Sequence, residues 1–414
     1  MSSLAPLRLP AFRRLAASYG LNELGWSFGT VALAVLVFDR TGSALATTAL
    51  FLATTFLPAL LGPALTARLD AFPVRRALPA LYVAEAALFG TLAAVTTRFW
   101  LPAVLALALL DGAIALVGRA LTRAAVAAAL KPAGALAAGN QLLNILFSAA
   151  YATGPALAGG LVAVAGVSAS LGVTAALFGL MALTLATART LPAACGAGDR
   201  SWAERVRTGL AYVRSDGPVR RVLSAHAAAL SCAAAATPVE VVYAKQSLGA
   251  GDAGYGLVLA FWGIGTVCSS LALTRARDAS ALRLIPLGAG AAGVAFLVMA
   301  AAPALWLGLA GCFLGGAGNG VYYVSVVQAL QERIPDDLQA RVMSLLESTT
   351  AGAYGVGFLA GGAIAAAADA RLALGLAGAG VLVAAAAIVA LLRGDRRVSP
   401  ARPAALAQQP EPAR

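Results

Sequence analysis

The sequence predicts an all-α membrane protein of twelve transmembrane helices in two six-helix halves, and three observations predict it. Of its 414 residues 60% are hydrophobic and only 12% charged, about half the charge of an average soluble domain, and the mean hydropathy is +0.83. The apolar residues gather into runs that meet the need of a spanning helix for about 20 consecutive apolar positions. One long polar interval, residues 189–221, divides these runs six and six.

In chain order the runs cover residues 15–38, 43–65, 77–97, 101–122, 135–165 and 168–188, then 222–244, 254–274, 282–302, 304–330, 342–368 and 372–392. A turn or a charge breaks each from the next. Lysine and arginine orient them, because cytoplasmic loops carry the excess of both. With the N-terminus inside, 26 of the 30 basic residues fall on inner segments, and only Arg40, Arg98, Lys245 and Arg371 lie on outer loops. Both termini are therefore expected in the cytoplasm. No cleavable signal is expected, since Arg13 and Arg14 lead into an apolar run longer than a signal core.

The expected domains are residues 1–188, a cytoplasmic linker 189–221, a second half 222–393 and a disordered tail 394–414. Within the linker, Ser201-Trp202-Ala203-Glu204 fits a capping box. Trp202, Val206, Leu210 and Val213 recur on one helical face, which reads either as a helix lying on the membrane surface or as a solvated linker helix. The tail is rich in Pro, Ala and Arg, a composition that buries too little apolar surface to fold.

Several function classes are excluded. The net charge of +12 and a pI near 10.2 come from short basic groups between apolar runs, not from a basic tract or an aromatic-interleaved strand binder. No nucleic-acid partner is expected. Cys195, Cys232, Cys268 and Cys312 are far apart, without disulfide or zinc spacing. Lys131 and Lys245 are the only lysines and stand in no phosphate-binding loop. His226 is the only histidine, which excludes haem-rich carriers and His-based metal motifs. No cofactor, no metal and no enzymatic activity is expected.

Residues 62–76, GPALTARLDAFPVRR, turn the chain between the second and third runs. Gly62, Asp70, Arg75 and Arg76 supply the small residue and charges that a tight interfacial turn wants. The pattern resembles the loop between helices 2 and 3 of the major facilitator superfamily, Gly-x-x-x-Asp-Arg-x-x-Arg-Arg, with Thr66 at the Gly position and Ala71 at the first Arg. Six runs, a central cytoplasmic linker and six more runs is also that superfamily's layout, each half being two inverted three-helix repeats. Thr41-Gly42-Ser43-Ala44 resembles the outer turn before helix 2 in the drug:proton antiporter group that includes macrolide effluxers and the enterobactin exporter. Gly154-Pro155-Ala156-Leu157-Ala158-Gly159-Gly160 resembles the Gly-Pro-x-x-Gly-Gly stretch of helix 5 in exporters, with Ala158 at one Gly position. Gln331-Glu332-Arg333-Ile334-Pro335-Asp336-Asp337-Leu338-Gln339-Ala340-Arg341-Val342 resembles that group's loop between helices 10 and 11.

The resemblance implies a monomeric secondary transporter of a bacterial inner membrane, exchanging protons for a small amphipathic compound by alternating access. Asp70 with Arg75 and Arg76 would latch one state. It also implies that the first, fourth, seventh and tenth runs line the central cavity. The residues themselves add candidates, because an ionisable group inside a bilayer is costly and functional by default. Asp111 lies roughly 13 Å from the outer end of the fourth run, and Glu23 and Glu85 lie roughly 12–14 Å from their inner ends. Glu23 and Asp111 are the proton-coupling candidates, with Asn22 and Trp26 as a polar cavity wall beside Glu23.

Bland alternatives stand beside these. Asp111 could instead pair structurally with Arg119, itself a cavity candidate, and Glu85 reads as bonded to the Asp70 region. His226 reads as a packing histidine, and Glu240 as interfacial. Asn319, Tyr322 and Tyr323 of the tenth run face either substrate or neighbouring helices. Gly154, Pro155 and Gly159 read as a pivot or as close packing. A nutrient importer of the same fold, a membrane-integral enzyme and a non-transporting sensor remain as alternatives.

Overall fold

The computed structural model describes residues 5–61, 74–187, 202–273, 275, 280–334 and 336–395. Gly62, Thr66 and Asp70 lie outside them, as do Cys195 and the tail from residue 396. The described chain is helical: α1 (Pro10–Thr41), α2 (Ala44–Phe51, running on through a π-turn), α3 (Val74–Val95), α4 (Leu101–Leu130), α5 (Leu136–Ala186) and α6 (Trp202–Ser215), then α7 (Gly217–Ala234), α8 (Gly251–Leu273), α9 (Ala281–Ala301), α10 (Leu305–Gln331), α11 (Asp336–Ala367) and α12 (Ala370–Asp395).

Among the described residues ten helices are long and apolar enough to cross a membrane, against the twelve expected. The difference has two physical sources. The fifth and sixth runs form one 51-residue element, α5, whose length of about 77 Å far exceeds the roughly 30 Å hydrocarbon core. Its helix is interrupted at Gly166, with φ 82° and ψ 169°, a conformation only glycine adopts without strain. Gly166 is one of the two residues that separate the expected runs. The tenth run is α10, 27 residues long, where six glycines and Asn319 dilute the hydropathy below that of the other spans.

Local chemistry sets the helix ends. Pro10 opens α1, where its missing N–H costs nothing. Gly42 closes it in the left-handed region at φ 60°, its N–H donating to the Phe38 carbonyl. Ser43 then caps α2, its hydroxyl accepting from the Ala46 N–H at 3.3 Å. The Thr41-Gly42-Ser43-Ala44 motif is thus a stop and a start in four residues. Every residue from Val31 to Phe38 is buried, so this part of α1 is enclosed on all sides.

In lipid no hydrophobic force draws helices together, so association depends on close packing and small residues. α1 and α3 pack on α5, α9 and α8 on α10, and α7 and α12 against the remaining helices of their half. The two halves meet where α5 packs on α8 and α2 on α11. Both contacts are built on glycine. A Cβ at Gly159 would stand 2.8 Å from the Gly256 Cα, and one on Gly362 would run into the Thr48 hydroxyl. The amphipathic segment α6 is a helix that lies against α11, with Val213 buried and Leu210 exposed.

Candidate functional site

Between the halves lies a cavity of roughly 320 Å³. The first half contributes Trp26, Ser27 and Thr30 from α1, Phe51, Thr54 and Thr55 from α2, and Tyr151 and Pro155 from α5. The second contributes Tyr255 and Trp262 from α8, Phe296 from α9, Asn319 from α10, Tyr354 and Phe358 from α11, and Glu240. Local backbone irregularities bring several of these groups inward. α2 widens into a π-turn over Leu52–Phe56, a feature found mostly at functional sites. There the Thr54 hydroxyl donates to the Leu50 carbonyl at 3.1 Å. α7 ends at Ala234, and the chain continues through a 3-10 turn, Thr237–Val239, before Glu240.

A side chamber of the first half adjoins this cavity, sharing Trp26, Thr30, Phe51 and Thr54 as a common wall. Asn22, Asp111, Arg119 and Phe178 also line it. Three carboxyls lie within electrostatic reach of the Arg119 guanidinium: Glu23 on α1, Glu85 on α3 and Asp111 on α4. Arg123 adds a second positive charge near Glu23. Asp111 and Arg119 form no direct ion pair, so the arginine acts on the carboxyl at a distance. Glu85 is only 1% exposed, and its Oε2 has no hydrogen-bond partner. The expected bond of Glu85 to the Asp70 region falls outside the described residues; among them, Glu85 is electrostatically linked to Asp111 and Arg119.

The second half is different. His226 is buried between two hydroxyls, Nδ1 at 3.1 Å from Tyr322 Oη and Nε2 at 3.1 Å from Thr350 Oγ1. A neutral imidazole has one donor and one acceptor nitrogen, which two hydroxyls satisfy, and the rings of His226 and Tyr322 stack at 5.8 Å. This is the packing histidine the sequence suggests. Tyr322 is engaged here and lines a separate cleft with Leu282 and Ile388, away from the central cavity. Tyr323, 40% exposed, is within reach of Glu347 and Arg123. Of the three α10 candidates, only Asn319 lines the central cavity.

The remaining candidates are structural neighbours of the cavity. Gly154 admits Ser27 of α1, since a Cβ there would approach its hydroxyl to 2.7 Å. Pro155 lines the cavity, its carbonyl closely approached by Gly256 of α8. Arg75 and Arg76 open α3 and are exposed.

At the end of the bundle marked by Gly42, basic residues tie elements together. Lys245 bridges Asp39 of α1 and Asp252 of α8, the latter at 2.6 Å, so one ammonium joins the two halves. Arg371 donates to the carbonyls of Ala300, Ala302 and Ser247, and Arg40 to that of Thr96. These are three of the four cations assigned to outer loops.

Glu240 is the group that sequence reasoning misplaced: the structure sets it in the cavity wall and not at the interface. A signal existed in Pro238, because a proline that breaks a span marks backbone that is buried in protein or lines a cavity, not backbone that faces lipid. Among the described residues no three His, Cys, Asp or Glu side chains gather as a metal site.

The sequence matches the family described as transmembrane secretion effector over residues 1–409. No curated protein matches it. Solved transporters share the fold. The nucleoside transporter NupG aligns with a TM-score of 0.76 at 13% identity, covering 92% of this chain and 99% of that one. The POT family transporter PepTSo aligns at 0.75 and 10% identity over 94% and 99%. A bacterial homologue of the iron transporter ferroportin, in an inward-facing state, aligns at 0.70 and 16% identity over 92% and 98%.

Proposed function

This chain belongs to the transmembrane secretion effector family of major facilitator transporters, and on that premise we propose that it exports a small amphipathic compound in exchange for protons. The observation that carries the reading is the joining of two spaces: a cavity shared by both halves, and a chamber lined by Asp111 and Arg119, with Glu23 and Glu85 within electrostatic reach of the same guanidinium. Substrate and proton would occupy neighbouring sites with a common wall. A carboxyl desolvated beside one guanidinium can hold a proton or release it as that wall changes sides.

In this reading the protein has twelve spans, both termini in the cytoplasm, and works as a monomer in a bacterial inner membrane. Glu23 and Asp111 lose protons while the cavity faces the cytoplasm and regain them outside as substrate leaves. The glycine contacts at Gly159 and Gly362 and the Lys245 bridge support a conformation closed on the Gly42 side. Asp70 with Arg75 and Arg76 would hold the opposite, outward-open state, with Gly62 closing the turn. The transporters of this fold named above carry different cargoes, so the fold alone does not fix this chain's cargo.

The test is efflux of a panel of dyes and antibiotics from cells expressing wild type, Glu23→Gln or Asp111→Asn, with the proton gradient intact or collapsed. Gradient-dependent export by wild type, lost in either variant, supports the reading. Export that is indifferent to both substitutions and to the gradient discards it. Uptake in place of efflux would favour an importer of the same fold.

A further inference from the structure

We propose that the central cavity selects a hydrophobic organic monocation, held by Glu240 inside an aromatic box; this rests on the transport reading above and names its cargo. Among the described residues that line the cavity, Glu240 is the one formally charged side chain. It is 8% exposed, and no described side chain hydrogen-bonds or ion-pairs with its carboxyl. A buried charge without a partner is expensive. A proton or a cationic ligand can neutralise it, and a cation that fits the cavity competes with the proton for this carboxyl.

The rest of the wall says what kind of cation. Trp262 stacks on Phe296 with centroids 5.4 Å apart, and Phe358 contacts both Phe51 and Tyr354, at 5.9 and 5.5 Å. Ring faces attract cations through their quadrupole and bury apolar ligand surface as well. A space of roughly 320 Å³ is far larger than a bare metal or inorganic ion needs, and falls in the range of small-molecule sites. Electrostatics then ranks the cargoes. A monocation pairs with Glu240, a neutral compound leaves it unpaired, and an anion is repelled.

The arginines do not cancel this preference. Arg119 lines the side chamber and not this cavity, and its charge faces Glu23, Glu85 and Asp111. Lys245, five residues from Glu240, is engaged by Asp39 and Asp252. The carboxyl of Glu240 is thus available to the cavity.

Two probes of the same shape and opposite charge separate the outcomes: tetraphenylphosphonium and tetraphenylborate, bound to purified full-length protein in nanodiscs with empty nanodiscs subtracted. The expected result is saturable binding of tetraphenylphosphonium to wild type and none of tetraphenylborate. Glu240→Gln should weaken cation binding about thirtyfold or more, as truncating one member of a buried charge pair does, and Glu240→Asp should restore most of it. Saturable binding of tetraphenylborate equal to that of the cation overturns the proposal without any variant. So does a folded, monodisperse wild type that fails to bind the cation, or a Glu240→Gln protein that binds it unchanged. Gradient-driven efflux of a neutral dye without cation binding would end this inference and leave the export reading standing. Glu240-dependent cation binding with no gradient-dependent flux would do the reverse.

Discussion

The two halves bury different chemistry. The first half sets three carboxyls within electrostatic reach of Arg119, Asp111 lining the same chamber as the arginine, and none of the three forms a direct ion pair with it. The second half satisfies its buried histidine with two neutral hydroxyls. A satisfied neutral network fixes one packing arrangement, whereas an under-paired charged cluster changes energy whenever its protonation or solvation changes. On the export reading proposed above, the contrast would divide the work: proton exchange in the first half, rigidity in the second, and cargo at the seam between them, where Glu240 stands.

That assignment can be broken in several places. The largest effect is expected from Asp111→Asn, which should reduce gradient-driven transport to background while the protein keeps its place in the membrane, as followed by efflux and surface labelling. Next comes the seam. Gly159→Val drives a side chain into Gly256, and overpacking of this kind costs about 1–3 kcal/mol. Gly160→Val meets nothing within 4 Å and should cost less than about 0.5 kcal/mol. Cysteine labelling from the Gly42 side should therefore rise in the first variant and stay unchanged in the second; equal labelling would separate the α5–α8 contact from the conformational cycle.

Smaller effects sharpen the picture. Tyr322→Phe removes one partner of the buried His226 and should lower stability by about 1–3 kcal/mol, read by thermal unfolding, with transport driven by the gradient as before. A loss of coupling in this variant would erase the division between halves. Lys245→Ala should have a small effect on stability, about 1 kcal/mol or less, because Asp39 is 43% exposed. Its signature is again increased labelling from the Gly42 side.

The helical membrane fold was largely legible in the sequence because hydropathy reports directly on a bilayer. Apolar runs, the break at Gly166 and the Gly42–Ser43 turn are local chemistry. What local chemistry does not carry is the depth and direction of single polar groups. Glu85 lay on a helix expected at the periphery, yet it is buried against Asp111 and Arg119 through packing on α5. Glu240 stands near the outer end of the seventh run, where an interfacial group is expected; the turns after Ala234 precede it, and it stands in the cavity wall. Tyr322 and Asn319 are three residues apart on α10, but only tertiary contact shows one on His226 and the other in the cavity.

The most direct test of the central claim uses liposomes containing wild type or Asp111→Asn, with tetraphenylphosphonium as cargo, comparing accumulation driven by a pH gradient with exchange at equal pH. The account predicts that wild type does both and that Asp111→Asn exchanges the cation at the wild-type rate without accumulating it. A variant that accumulates as wild type does, with the gradient still required, would contradict the assignment of proton exchange to the first half.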